Sequence, residues 1–343
     1  MKHLIFILTI GVGIIATGAI IFLVVTYEKP LDPEQALSSY SGEDLVEQIK
    51  DVIKPENKRF PNFKTDITKT SIDLNQLLSG GPRKDGIPAL DNPTFISMED
   101  ADIGDGVLGV YLDVDGDQRF YPYTILVWHE IINDVVGGRP VAVTFCPLCG
   151  TGIVYDRDIA GEVLEFGVSG FLYESNMVMY DRSTESFWSQ SLGRAIVGER
   201  LDTELDIVSM QLLTYGEVTT KYPGTQILSA DTGHDRDYTF YPYGDYDEST
   251  SLFSPVSVPD QRYALKELMY VFRVGDVSIT FPRAAVKADV VEEWEYNGHD
   301  LAVSRDGGEI FVEVDGEVVP GYVEMWFSWV AGHSDGGVVW ELE

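Results

Sequence analysis

The chain has 343 residues, 44% of them hydrophobic and 12% aromatic, which is the composition of a packed protein and not of a disordered one. Acidic residues outnumber basic ones 56 to 24, for a net charge of −32. A surface of that sign repels nucleic acid and anionic lipid head groups and argues against both as partners; the acidity itself reads as a solubility adaptation.

The uncharged apolar run from Leu4 to Val25 follows Met1, Lys2 and His3. As a helix it spans about 33 Å, enough for a hydrocarbon core of about 30 Å. It exceeds the usual secretory core of about 7–15 residues, and no small-x-small cleavage pattern follows it. These features predict an uncleaved signal anchor over 1–26. Lys2 on the short side places residues 27–343 outside the cytoplasm, in a compartment that permits disulfides. Residues 27–70 read as a stalk, with a short helix from Glu43 to Lys50 that Pro55 and Pro61 end.

Globular text begins near Ser71. "LLSGGPRKDGIPALDNP" is a Gly/Pro-dense irregular loop, and "GVLGVYLDVDGDQRFYPY" a hairpin turning at Asp115-Gly116. "DVDGDQ" resembles a calcium loop, but Thr124 stands where the bidentate Glu belongs, so it reads as a plain turn. In "YTILVWHEIINDVVGG", Ile125, Trp128, Ile132 and Val135 recur at helical spacing, and Gly137-Gly138 end the predicted helix. "RPVAVTF" is a strand running into "CPLCG", and "GIVYDRDIAGEVLEFGVSG" a hairpin turning near Ala160-Gly161. Further strands and turns extend to about Asp231.

Displacing the chain by 160 positions superposes Val114 on Val274, Pro122 on Pro282, Gly138 on Gly298, Ala142 on Ala302 and Val143 on Val303. "YGEVTTKYPGTQIL" then resembles "WFSWVAGHSDGGVV" at an offset of 111. The expected fold is therefore α+β, predominantly antiparallel β with a few short helices, in two related halves: 71–235, carrying the CPLCG site, and a shorter 236–343. Features of one half alone are the better functional candidates. The second half has Asp306 and Glu309 where the first has Cys146 and Cys149, and Asp289 in place of His129.

Cys146 and Cys149 are the only cysteines. A thiol oxidoreductase places C-x-x-C at a helix N-terminus, where the dipole lowers a thiol pKa; here Gly150, Thr151 and Gly152 and then a strand follow. The context is closer to a metal knuckle, but a structural zinc needs four ligands. In a metal reading Cys146, Cys149 and His129 are ligands, a carboxylate or water completes the shell, and zinc or copper suits the donors. In a redox reading the pair cycles between dithiol and disulfide and Arg157 lowers a thiol pKa. The same two cysteines also suit a strained local disulfide, or thiols that are inert and structural.

"WHEIIND" places His129 with Asn133, and Glu130 with Asp134, on adjacent helix faces, with His129 as ligand or general base and Glu130 beside it. "VYDRD" and "MYDRSTESFWSQ" supply Arg157, Asp181, Arg182, Ser189 and Gln190, which either tie loops together or meet an anionic substrate. P-loop and Rossmann fingerprints are absent, and Ser169 in "FGVSG" lacks the helix of a nucleophile elbow.

Together "GGPRKDGIPAL", "YPYTILVWHEIIND", "VTFCPLCGTGIVYDR", "FGVSGFLYESNMVMYDRSTESFWSQ" and "GRAIVGE" resemble a bacterial and archaeal domain-of-unknown-function family marked by a CPLCG loop. The resemblance covers roughly residues 71–343. It implies that the candidate residues above lie in family motifs and assigns them no roles; Tyr215 departs from the family's usual Trp. The functional expectation is a membrane-tethered, extracytoplasmic domain with a Cys/His-centred site for metal binding or thiol chemistry. The competing class is a non-catalytic binding or envelope-structural module.

Overall fold

The computed structural model describes residues 60–342 apart from 61, 258, 259 and 335. The expected anchor at 1–26 and the helix at Glu43–Lys50 lie outside the described residues. Among those described, no helix is long and apolar enough to cross a membrane. Phe60 and Phe63 pack against the domain, buried against Phe187.

Among the described residues the fold is β-rich α+β with mixed, mostly antiparallel strands and three short α-helices. Strands β1 (Leu108–Val114) and β2 (Asp117–Pro122) form the expected hairpin and lead into α1 (Tyr123–His129). Then come β3 (Ile131–Val136), β4 (Arg139–Cys146) and β5 (Thr151–Asp156). A meander follows: β6 (Phe166–Tyr173), β7 (Asn176–Asp181), β8 (Phe187–Ser189) and β9 (Arg194–Val197). Next are β10 (Gln211–Thr214), α2 (Tyr215–Lys221) and β11 (Gln226–Leu228). The later part holds β12 (Leu268–Val274), β13 (Val277–Pro282), β14 (Glu292–Tyr296), β15 (His299–Asp306), β16 (Glu309–Val314), β17 (Gly321–Met325) and α3 (Trp326–Gly332).

An eight-stranded sheet forms the centre, in the order Leu90–Asp91, β3, β4, β5, β17, β12, β13, Val338–Val339. Both faces are buried, so its strands read as nearly continuous apolar runs. Along β4 the pleat sends Val141, Val143 and Phe145 into one core cluster and Ala142 and Cys146 into the other, with Trp188 and Phe327. The first cysteine thus points at the face covered by the meander.

Pairing recurs along the chain. β1–β2 and β12–β13 are hairpins of equal length, with Val114 opposite Asp117 and Val274 opposite Val277. β10 pairs β1 as β17 pairs β12, and β11 runs parallel to β2 as Val338–Val339 runs parallel to β13. The turns differ: Cys146 pairs Thr151 across Pro147–Gly150, whereas Asp306 pairs Glu309 directly across Gly307-Gly308. Asp306 therefore holds the register of Cys146, but Glu309 corresponds to Thr151. Cys149 belongs to a longer turn with no counterpart.

The long helix expected through Val136 is a correction. It ends at His129, Glu130 is left-handed (φ 59°), and Ile131–Val136 is a strand. Ile131, Ile132, Val135 and Val136 are β-branched and pair with β4, so sheet pairing overrides an ambiguous apolar spacing. Gly137 and Gly138, both at positive φ (56° and 83°), form the β3–β4 hairpin turn instead of stopping a helix. The Ala160-Gly161 turn is present but joins only Asp158–Ile159 to Glu162–Val163. β5 instead pairs with β4 and β17.

Asn133 couples the central sheet to the meander. Its Nδ2 donates to the Phe166 carbonyl (2.8 Å) and to Asp91 (2.7 Å), and its Oδ1 accepts from the Phe166 N–H (3.0 Å). The side chain thus acts as an extra ladder rung. Asn133→Ala strands both buried Phe166 backbone groups, and the expected loss is about 2–4 kcal/mol. Urea unfolding checks it, and a loss below about 0.5 kcal/mol contradicts the coupling.

Candidate functional site

Cys146 ends β4 and Cys149 lies in the following turn; both are buried and neither is in a disulfide. The Cys149 N–H donates to the Cys146 carbonyl (3.3 Å), which closes the turn. The Cys149 sulfur receives two donors at 3.0 Å, the Asn176 side-chain amide and the Thr151 hydroxyl. Cys146 has apolar walls, and burial, followed by its contact with Cys149, pushes its thiol pKa well up.

Glu130 lies on the same side. Its carboxyl is buried, accepts a long hydrogen bond from the Tyr243 hydroxyl (3.4 Å), and acts electrostatically on Cys146. Burial raises its pKa to about 8. Tyr246 closes the turn from outside by donating to the Leu148 carbonyl (2.9 Å). Tyr243 and Tyr246 come from a largely exposed segment after β11 that no spacing in the first half announces.

His129 faces elsewhere. Nδ1–H donates to the Pro88 carbonyl (2.7 Å), which leaves Nε2 to accept from the Tyr238 hydroxyl (2.7 Å). Both nitrogens are committed, and burial lowers its pKa to about 4. Among the described residues, no three His, Cys, Asp or Glu side chains cluster so as to hold a metal ion. The two sulfurs and the imidazole therefore do not close a donor set for zinc or copper.

The other expected residues build the frame. Arg157 donates to three buried carbonyls, those of Val141 (2.9 Å), Leu164 (2.6 Å) and Asp134 (2.8 Å). Its guanidinium is spent on backbone and not on a thiol. The Asp134 carboxylate accepts from Tyr121 (2.7 Å) and Arg119 (3.2 Å). Asp181 caps its own turn through Thr184 and accepts from the Trp188 indole (3.0 Å). Arg182 pairs with Asp91 (2.6 Å), the acceptor of Asn133. Ser189 accepts from the Leu192 N–H (3.4 Å). Gln190 donates to Thr144 (2.9 Å) and to the Thr151 carbonyl (3.1 Å), which steadies the base of the cysteine turn.

Sequence reasoning missed Asn176, Thr151 and Ser328, the polar side chains that gather at Cys149: the Asn176 amide also reaches Thr151 Oγ1 (3.2 Å) and Ser328 Oγ (3.3 Å). Asn176 and Thr151 stand inside the "FLYESNMVMYDR" and "CPLCGTG" stretches, and their polarity amid apolar strand text was the available signal. Ser328 is remote in sequence and carried none.

Residues 84–312 match the family model described as a protein of unknown function, DUF3179. The chain belongs to this family. The DUF3179 match contains Glu130, both cysteines, Asn176 and Tyr243, while β17 and α3 lie beyond it. No curated protein and no solved structure matches the chain.

The two adjacent buried titratable groups that lead into β3 predict opposite pH signatures. The unfolded imidazole takes a proton near pH 6.5 but the folded His129 only near 4, so its contribution to stability disappears as pH falls through that window. The stability gap between wild type and His129→Gln is expected to shrink by about 1–3 kcal/mol from pH 7 to pH 4. Glu130 binds its proton more tightly when folded, so it weakens the fold as pH rises from about 4.5 to about 8. Glu130→Gln therefore gains relative to wild type across that rise. Denaturant midpoints measured at each pH check both signs, and parallel curves contradict them.

Proposed function

We propose that this DUF3179 domain is a thiol–disulfide centre, with Cys149 as the exchanging thiol and Cys146 as the resolving thiol. The observation that carries the reading is the pair of free sulfurs on one closed turn, unequally surrounded: two donors face Cys149, and a buried carboxyl accompanies Cys146. Two hydrogen-bond donors suit a sulfur that bears charge during a reaction. Cys149 attacks a substrate disulfide and forms a mixed disulfide, releasing one thiol. Cys146 loses its proton to ionised Glu130, attacks the Cys149 sulfur, and releases the second thiol. The net step oxidises the dithiol to a disulfide and reduces the substrate disulfide to two thiols. Tyr243 and Tyr246 cover the turn, so reaction requires that cover to lift.

The recurring hairpin registers and parallel edge pairings support an internally duplicated chain whose second half lacks the cysteine turn. The apolar run Leu4–Val25 with Lys2 before it supports a single-pass anchor that leaves the domain outside the cytoplasm, where a disulfide persists.

Equilibration of the full chain with mixtures of reduced and oxidised dithiothreitol tests the centre. The expected result is a reversible two-electron transition that consumes both thiols together and is absent in Cys146→Ser and Cys149→Ser. Thiols that never oxidise overturn the reading. So does stoichiometric zinc or copper that copurifies with the chain and blocks both thiols.

A further inference from the structure

A second buried carboxyl lies on the opposite flank of the cysteine turn. Glu324, on β17, is 0% exposed. Its Oε1 accepts from the Ser191 hydroxyl and from the Ser328 hydroxyl (2.6 Å), the latter one helical turn ahead in α3. Its Oε2 is buried without a hydrogen-bond partner. A carboxyl so placed is costly unless it is protonated or serves a reaction. Burial raises its pKa to about 7, while the two serines and Thr151 pull it down.

The carboxyl connects in two directions. Inward, the Ser328 hydroxyl that it accepts from also meets the Asn176 amide (3.3 Å), which in turn reaches Thr151 Oγ1 (3.2 Å) and the Cys149 sulfur (3.0 Å). A hydroxyl can accept and donate, so Thr151 on the sulfur (3.0 Å) and Ser328 on the carboxyl (2.6 Å) form the two ends of a path between thiol and carboxyl. Asn176 braces this link by touching the sulfur, Thr151 and Ser328. Outward, Asn176, Ser191 and Ser328 line a narrow pocket beside Glu174 and Leu192, with room for about one water. The other titratable groups around Glu324 are Tyr155 and Tyr322, both held neutral by burial, and Arg273, which acts on those two tyrosines.

We infer that Glu324 is the proton station of Cys149: it takes the thiol's proton by way of the Thr151 and Ser328 hydroxyls and exchanges it with water in the Asn176–Ser191–Ser328 pocket. The inference deepens the thiol reading above and rests on it for its purpose. The stations are then divided, Glu130 serving Cys146 and Glu324 serving Cys149. In the first exchange step the proton leaves the Cys149 sulfur for Glu324 as the sulfur bonds to the substrate, and returns to the departing thiolate. Glu324 does not touch the sulfur and is a positioning residue, so its signature is a pH profile.

The test uses the full chain carrying Cys146→Ser, which leaves Cys149 as the sole cysteine. Its rate of alkylation by iodoacetamide is measured from pH 5 to pH 9. The rate is expected to rise with a midpoint near pH 7. Glu324→Gln is expected to lower the rate at pH 7 by on the order of a hundredfold and to remove that midpoint. Ser191→Ala and Ser328→Ala each remove a donor to the carboxylate, raise its pKa, and move the midpoint to higher pH. A Glu324→Gln profile matching that of the parent overturns the inference. If Glu324→Gln does not fold, the serine variants decide, and unmoved midpoints overturn it. Failure of the wild-type dithiol to oxidise would overturn the redox reading alone, since the alkylation profile is read without any disulfide.

Discussion

Glu130 holds a left-handed backbone (φ 59°), a conformation that costs a non-glycine residue roughly 1–2 kcal/mol. The rest of the site depends on that reversal. It ends α1 after two turns and starts β3, with the Glu130 N–H still closing the helix on Leu126 and its carbonyl already accepting from Phe145 on β4. His129, the last helical residue, turns toward Pro88 and Tyr238, and the Glu130 carboxyl turns toward Tyr243. Two adjacent polar side chains are thereby sent to different environments, one against the covering Tyr243 and one against Pro88 and Tyr238.

The surroundings of the cysteine turn show how a polar site survives in a core. Most of its polar groups are satisfied in an ordered way: Arg157 takes three carbonyls, Gln190 anchors the base of the turn, and Asn133 pairs with the Phe166 backbone. Against that background two carboxyls stand out. Glu130 has one long hydrogen bond, and Glu324 has an oxygen with no partner. A satisfied network rigidifies a core, whereas a half-satisfied one is expensive. Part of that expense falls on these two carboxyls beside the sulfurs and part on the frame, where Gln190 Oε1 and the Tyr322 hydroxyl are also buried without a partner.

Chain connectivity makes the site composite. β17 lies beside β5 in the central sheet, with Val323 opposite Gly152, so the later part of the chain delivers Glu324 and Ser328 to a turn made by the earlier part. The segment between β11 and β12 delivers the covering tyrosines. Three stretches far apart in the chain meet at one turn, and removing any of them would expose a sulfur or remove a polar partner.

Much of this was legible in the sequence. The hairpin at Asp115-Gly116 and the strand running into Cys146 are local signals, and local steric preferences write such signals directly into residue order. The cysteine pair and Glu130 were also visible as chemistry. The course of "EIINDVV" was not, because an apolar run of that length fits a helix or a strand, and only pairing with β4 decides between them. Nor was the fate of His129, whose two partners come from Pro88 and Tyr238. Sequence alone determined which groups are available and which short elements carry them. Tertiary structure decided which of those groups meet, because partners such as Asn176 and Ser328 are joined by sheet order and packing, and residue order carries no local trace of that.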